Sequence, residues 1–132
     1  MGDADALEDE AWAGLVRRYL FEDDRRDALA RIEKALRLRE AAQGPEHGDL
    51  IWPLSLKIEL LRIEHSPEAT LEAAQVGERR LALRRRALRD APEELLASLR
   101  ELAALYTFED EVLDPARVKT LQAEIARLEP SQ

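Results

Sequence analysis

The chain contains no cysteine and no asparagine, and only 5% of its residues are aromatic. Without cysteine, disulfides, thiolate zinc sites and cysteine nucleophiles are excluded, which fits a reducing compartment and makes the cytoplasm the expected location. No apolar run approaches the roughly 18 residues that would suggest a membrane span. An excess of basic charge is also lacking. The net charge is -8, which disfavours general nucleic-acid binding, because association with phosphates depends on Lys and Arg displacing counterions. A basic protein partner stays open. The opening "MGDADALEDE" has no positive segment followed by an apolar one, so no secretory signal is expected. Ala6 lacks the hydroxyl of a myristoylation signal.

What is present is alanine and leucine, both strong helix formers, while β-branched residues are scarce. The expected fold class is all-α. At 132 residues and 15.0 kDa a single domain with one continuous core is expected. "WAGLVRRYLFEDDRRDALARIEKALRLRE" carries apolar residues at Trp12, Leu15, Val16 and Tyr19, then at Ala28, Ile32, Ala35 and Leu36, both sets at helical spacing. "FEDDRRD" interrupts them, and Asp27 is positioned to cap the second helix. The result reads as a helical hairpin.

The same design returns at Leu99, Leu102, Ala103 and Tyr106. It extends into the turn: "YLFEDD" is matched by "YTFEDE", and Asp27 by Asp114, each pair 87 residues apart. This is an internal repeat. Between the copies lies a weaker one with Leu54, Ile58 and Leu61 in the first-helix stripe and Lys57 where the neighbours have leucine. Six helices in three hairpins follow, with approximate repeats at 8-43, 49-89 and 92-128. Helix starts are marked by Asp49, Ser66-Pro67, Pro92 and Asp114-Pro115, since proline at the first helical position gives up only an orphan donor. "LSLKIEL" alternates apolar and polar residues like a half-buried strand, but no partner strand accompanies it.

Trp12, Leu15, Tyr19, Ala28, Ile32 and Ala35, in this order and spacing, resemble the helix-pair signature of the tetratricopeptide repeat family. "ALRLREAAQGPEHGDL" resembles the helix end and inter-repeat loop of its kinesin-light-chain-like form. Val16, Lys57 and Gly77 depart from that pattern. The resemblance implies three hairpins stacked as a short right-handed solenoid, with a concave groove lined by first helices that binds peptides or partner helices. It implies no catalysis and no cofactor.

Candidate chemistry is thin. His47, flanked by Glu46 and Asp49, sits where Gly44, Pro45 and Gly48 read as a corner between helices, with Asp49 able to cap the next one. His65 is the only other histidine, and a catalytic zinc normally needs three protein ligands, so no metal is expected. "FEDD" and "FEDE" lack the alternating ligands and central glycine of a calcium loop. No glycine-rich phosphate loop or nucleophile elbow is present, so the chain is not expected to be an enzyme. Arg79, Arg80, Arg84, Arg85, Arg86 and Arg89 read as a solvated face paired with nearby Glu, the alternative being an anion-binding stripe.

With Leu54, Ile58 and Leu61 facing inward, Trp52, Ser55, Glu59 and Arg62 form the adjoining stripe. Glu10, Ala13, Arg17 and Leu20 are equivalent in the first hairpin, and Arg100, Ala104 and Thr107 in the third. The expected partner site is Trp52 as apolar anchor, with Arg17, Arg62 and Arg100 for carboxylates and Glu59 beside them. Lacking asparagine, the chain departs from the clamp of chaperone-binding family members, and chaperone-tail binding is not expected. The expected function is a protein-protein interaction module. The alternatives are a small acidic inhibitor of a basic enzyme, of the immunity-protein or antitoxin kind, and a structural oligomer formed through the open ends of the stack.

Overall fold

A computed structural model describes residues 2–16 and 22–130 of the chain. These residues form six α-helices: α1 (Gly2–Val16), α2 (Glu22–Gln43), α3 (Ile51–Ile63), α4 (Pro67–Ala87), α5 (Pro92–Leu105) and α6 (Pro115–Leu128). The fold is all-α. Two residue pairs between α5 and α6, Thr107 with Val112 and Phe108 with Glu111, make a minimal antiparallel hairpin, β1 (Thr107–Phe108) and β2 (Glu111–Val112). Each helix packs on the next in chain order, and α1 also touches α3.

The helix ends follow local chemistry. Gly44 takes φ +92° just past α2, a left-handed conformation that glycine adopts without steric cost, and its N–H bonds to Glu40 O at 2.8 Å. At the corner that follows, the cap is His47 rather than Asp49. The His47 Nδ1 accepts the Asp49 N–H at 3.1 Å and closes a 3-10 turn, Gly48–Leu50, ahead of α3. Asp49 instead accepts from Gln43 Nε2 at 2.9 Å. Ser66 caps α4 through the Ala69 N–H at 3.1 Å, and Asp114 caps α6 through the Arg117 N–H at 3.1 Å.

Asp27 does not repeat that role, because α2 already begins at Glu22. The difference lies in the next residue. Asp114 precedes Pro115, which biases it out of helical geometry, whereas Asp27 precedes Ala28 and nothing stops the helix from extending towards its N-terminus.

The middle helix explains the alternation of "LSLKIEL". Ile58 and Leu61 pack with Leu99, Leu102 and Leu105 of α5 and with Ala73, Ala74 and Leu81 of α4. Leu56 and Leu60 pack with Ala11 of α1 and Ala28, Ile32 and Ala35 of α2. Leu54 joins Leu36, Leu50 and Leu83. One helix serves neighbours on two sides, so its buried residues cover more than one stripe. Lys57 sits between those sides with its amine 3.8 Å from Glu33.

Gly77 has a structural reason. A Cβ there would lie 2.8 Å from Leu105 Cδ1 and 3.0 Å from Leu102 Cδ1, so its absence lets α4 approach α5 closely. Beyond that contact, Glu78 accepts Arg117 Nε and Nη2, both at 2.7 Å, together with the Tyr106 hydroxyl, and so joins α4 to α6.

Candidate functional site

With α3 enclosed on most of its surface, its exposed residues are Trp52, Glu59 and Arg62, with Ser55 half-buried between them. That stripe borders two adjoining clefts. The first, of about 640 Å³, is lined by Glu8, Arg39, Gly48, Asp49, Ile51, Trp52, Ser55 and Arg84. The second, of about 470 Å³, is lined by Ser55, Ile58, Glu59, Arg62, Arg80, Arg84, Glu101, Ala104 and Leu105. Ser55 and Arg84 belong to both, so the two make one groove along α3. Volumes of this order suit a side-chain cluster or a short segment of a ligand.

At one end stands an aromatic pair. Trp12 and Trp52 have ring centroids 5.9 Å apart at 43°, and both are about half exposed, 49% and 51%. Sequence reasoning placed Trp12 in the core stripe of the first helix. Among the described side chains of α1 the buried ones are instead Ala4, Glu8 and Ala11. Small residues there meet Ala28 and Ala35 of α2, so the helices sit close and the large indole is left at the surface.

The arginines supply the polar floor. Arg39 donates to both oxygens of the buried Glu8, Nη2 to Oε1 at 2.8 Å, and to Asp5 at 2.7 Å. The hydrogen bonding of Arg39 to Glu8 leads the causes that hold the Arg39 pKa above its ordinary value. Arg84 donates to Glu101 at 2.8 Å and to Ser98 Oγ at 3.4 Å. Arg80 donates to Ser55 Oγ at 3.0 Å and reaches the same Glu101 at 3.4 Å. Burial, followed by the charge of Arg84, pushes the Arg80 pKa down.

These arginines came out of a run that reads as a solvated face. In fact α4 spreads them over different neighbours: Arg79 to Glu40, Arg85 to both oxygens of Glu124 at 2.6 and 2.7 Å, and Arg86 to Glu46 at 2.9 Å. Arg80 and Arg84 turn into the groove. A signal for this exists in the sequence, since they lie seven residues beyond Ala73 and Gly77, on the inward stripe of the same helix.

The expected site residues are distributed as follows. Trp52 lines the first cleft and Glu59 and Arg62 the second, the latter two forming an exposed pair at 3.6 Å. Arg100 is not among the lining residues and pairs with Glu129 at 3.3 Å. Arg17 lies outside the described residues. Among the described residues no group of three or more His, Asp or Glu side chains is placed to hold a metal ion. His47 is engaged in the turn, and His65 lies against Phe108 with its Nε2 3.5 Å from Glu109. Among the described residues no helix is long and apolar enough to cross a membrane.

Searches of protein-family models, curated proteins and solved structures returned no match to the chain. The groove must therefore be interpreted from its own chemistry.

Proposed function

We propose that this chain is a protein-protein interaction module that holds a peptide or helix of a partner in the groove along α3. The observation that carries this reading is the exposed Trp12–Trp52 pair, of which Trp52 lines the first cleft. Two half-exposed indoles are unfavourable to leave in water, and tryptophan and arginine are the side chains that most often dominate interface energetics. An apolar partner residue would lie on the indoles while its polar neighbours meet the arginines of the floor. The tetratricopeptide-like spacing of the sequence supports the same use of a surface lined by the first helix of each hairpin, and on this reading the three hairpins stack as a short solenoid. We assign the groove no catalytic step and no cofactor. The absence of cysteine suits the reducing cytoplasm. Weak self-association through the ends of the helical stack belongs to the same proposal.

The test is an affinity capture from the source cell, read by mass spectrometry, with wild type and a Trp12→Ala/Trp52→Ala variant side by side. A partner retained by wild type and lost by the variant supports the groove. Equal recovery by both overturns it.

The acidic-inhibitor reading is favoured by one observation, the exposed Glu109, Asp110 and Glu111 at the hairpin between α5 and α6. Acidic surface of this kind would act mainly by speeding association with a basic enzyme.

A further inference from the structure

Four arginines among the described residues have a clearly shifted affinity for their proton, and three of them share one pattern. Arg39, Arg85 and Arg117 each grip both oxygens of a carboxylate, Glu8, Glu124 and Glu78 respectively, and each is shifted upward. Arg80 is the exception. Its side chain is only 11% exposed, yet it has no carboxylate of its own and shares Glu101 with Arg84. Its shift is downward, which is what burial of an incompletely compensated charge produces.

Besides Glu101, each guanidinium also meets a neutral group. Ser55 Oγ accepts from Arg80, and Ser98 Oγ accepts from Arg84. Each serine spends its own proton on a backbone carbonyl one turn back, Ser55 on Ile51 O at 2.8 Å and Ser98 on Glu94 O at 3.1 Å. The hydroxyls therefore orient the arginines without neutralising them. Around this cleft stand three cations, Arg62, Arg80 and Arg84, against two anions, Glu59 and Glu101. Glu59 already faces Arg62. Glu101 is the carboxylate that both arginines contact, joined at Arg80 only by the more distant charge of Glu59, and its side chain is 54% exposed and able to swing outward.

We propose that Arg80 and Arg84 form a binding site for a phosphoryl group carried by the segment that occupies the groove, with Glu101 filling the site until that group displaces it. This rests on the groove reading above. A phosphorylated side chain carries about -1.5 to -2 charges at pH 7 and three acceptor oxygens. It matches two guanidiniums in charge, where the single carboxylate of Glu101 matches one. Arg80 and Arg84 are four residues apart on α4, so their forks lie side by side and can both donate to one tetrahedral anion. The hydroxyls that now receive them keep them positioned, which lowers the ordering cost on binding.

The probe is inorganic phosphate, with acetate as its singly charged counterpart, titrated at constant ionic strength and about pH 8, where phosphate is largely the dianion, into uniformly 15N-labelled protein. The Nε–Hε signals of Arg80 and Arg84 report the site. Phosphate should shift both saturably in the millimolar range, and acetate should bind at least about tenfold more weakly, as expected for one charge in place of two. Glu101→Gln, at an exposed position that leaves folding intact, should tighten phosphate by about fivefold, the upper value for an ion pair this accessible. Arg84→Gln, with an unchanged helical circular-dichroism spectrum, should abolish the response.

The proposal is overturned by non-saturating shifts, by equal affinity for acetate, by unchanged phosphate affinity in Glu101→Gln, or by wild-type binding in Arg84→Gln. Failure of the groove reading has a different signature, since partner capture would then be indifferent to the two tryptophans while phosphate still titrates Arg80 and Arg84.

Discussion

Replacing Glu78 by alanine should destabilise the fold by about 2 kcal/mol, a figure that follows from what the carboxylate holds. It accepts two parallel bonds from Arg117 and one from the Tyr106 hydroxyl. The Glu78 and Arg117 side chains are 31% and 30% exposed, so solvent screens part of their attraction, and the pair contributes roughly 1 kcal/mol rather than the larger value of a dry site. Tyr106 is buried at 4% exposure. Losing its acceptor leaves a hydroxyl with a desolvation penalty of about 1 kcal/mol or more. In a chain of this size the change should lower the melting temperature by about 8 °C. Thermal denaturation of Glu78→Ala, Arg117→Ala and the double variant, followed by circular dichroism, gives the coupling directly. It should be about 1 kcal/mol. A coupling indistinguishable from zero would show that the network does not join α4 to α6 in solution.

The same carboxylates set an acid limit. Burial raises the Glu78 pKa, but its bonds to Arg117 and Tyr106 outweigh that and leave it below the ordinary 4.5; Arg85 does the same for Glu124. Because the folded values are the lower ones, their stabilisation is complete above the ordinary glutamate range and is lost as pH falls through the folded values. Urea midpoints should fall more steeply on acidification in wild type than in Glu78→Gln/Glu124→Gln; parallel curves would refute this. Gly77→Val should cost about 1–3 kcal/mol, since its Cβ alone intrudes on Leu102 and Leu105 and two further methyls must be housed. A melting temperature equal to that of wild type would mean that α4 and α5 are not so closely apposed.

Much of the architecture was legible because helical periodicity is a strong signal where apolar residues are large. Leu54, Ile58 and Leu61 are buried as expected, and the stripe beside them is the exposed one. Trp12 was misplaced for the opposite reason: the described buried positions of α1 are two alanines and Glu8, which carry little apolar periodic weight, so the bulky neighbour stood in for them. Arg80 and Arg84 were hidden by their own abundance. Within a run of six arginines, only the register relative to Ala73 and Gly77 distinguishes the two that face the groove, and that register becomes decisive once α5 is known to lie alongside. His47 takes the cap expected of Asp49 because a side-chain cap depends on turn geometry, which neither residue type determines alone.

The most direct measurement of the central claim uses the captured partner and surface plasmon resonance at two salt concentrations. Three proteins are compared: wild type, Trp12→Ala/Trp52→Ala, and Glu109→Gln/Asp110→Asn. If the groove is the site, the tryptophan variant should lose at least about 2 kcal/mol, roughly thirtyfold in Kd, chiefly through faster dissociation. The acidic-turn variant should stay within about twofold of wild type, as expected of charges outside the contact. The contrary result is a tryptophan variant that binds like wild type while the acidic-turn variant associates slowly with a reduced salt dependence. That pattern would move the binding surface to the hairpin and contradict the account.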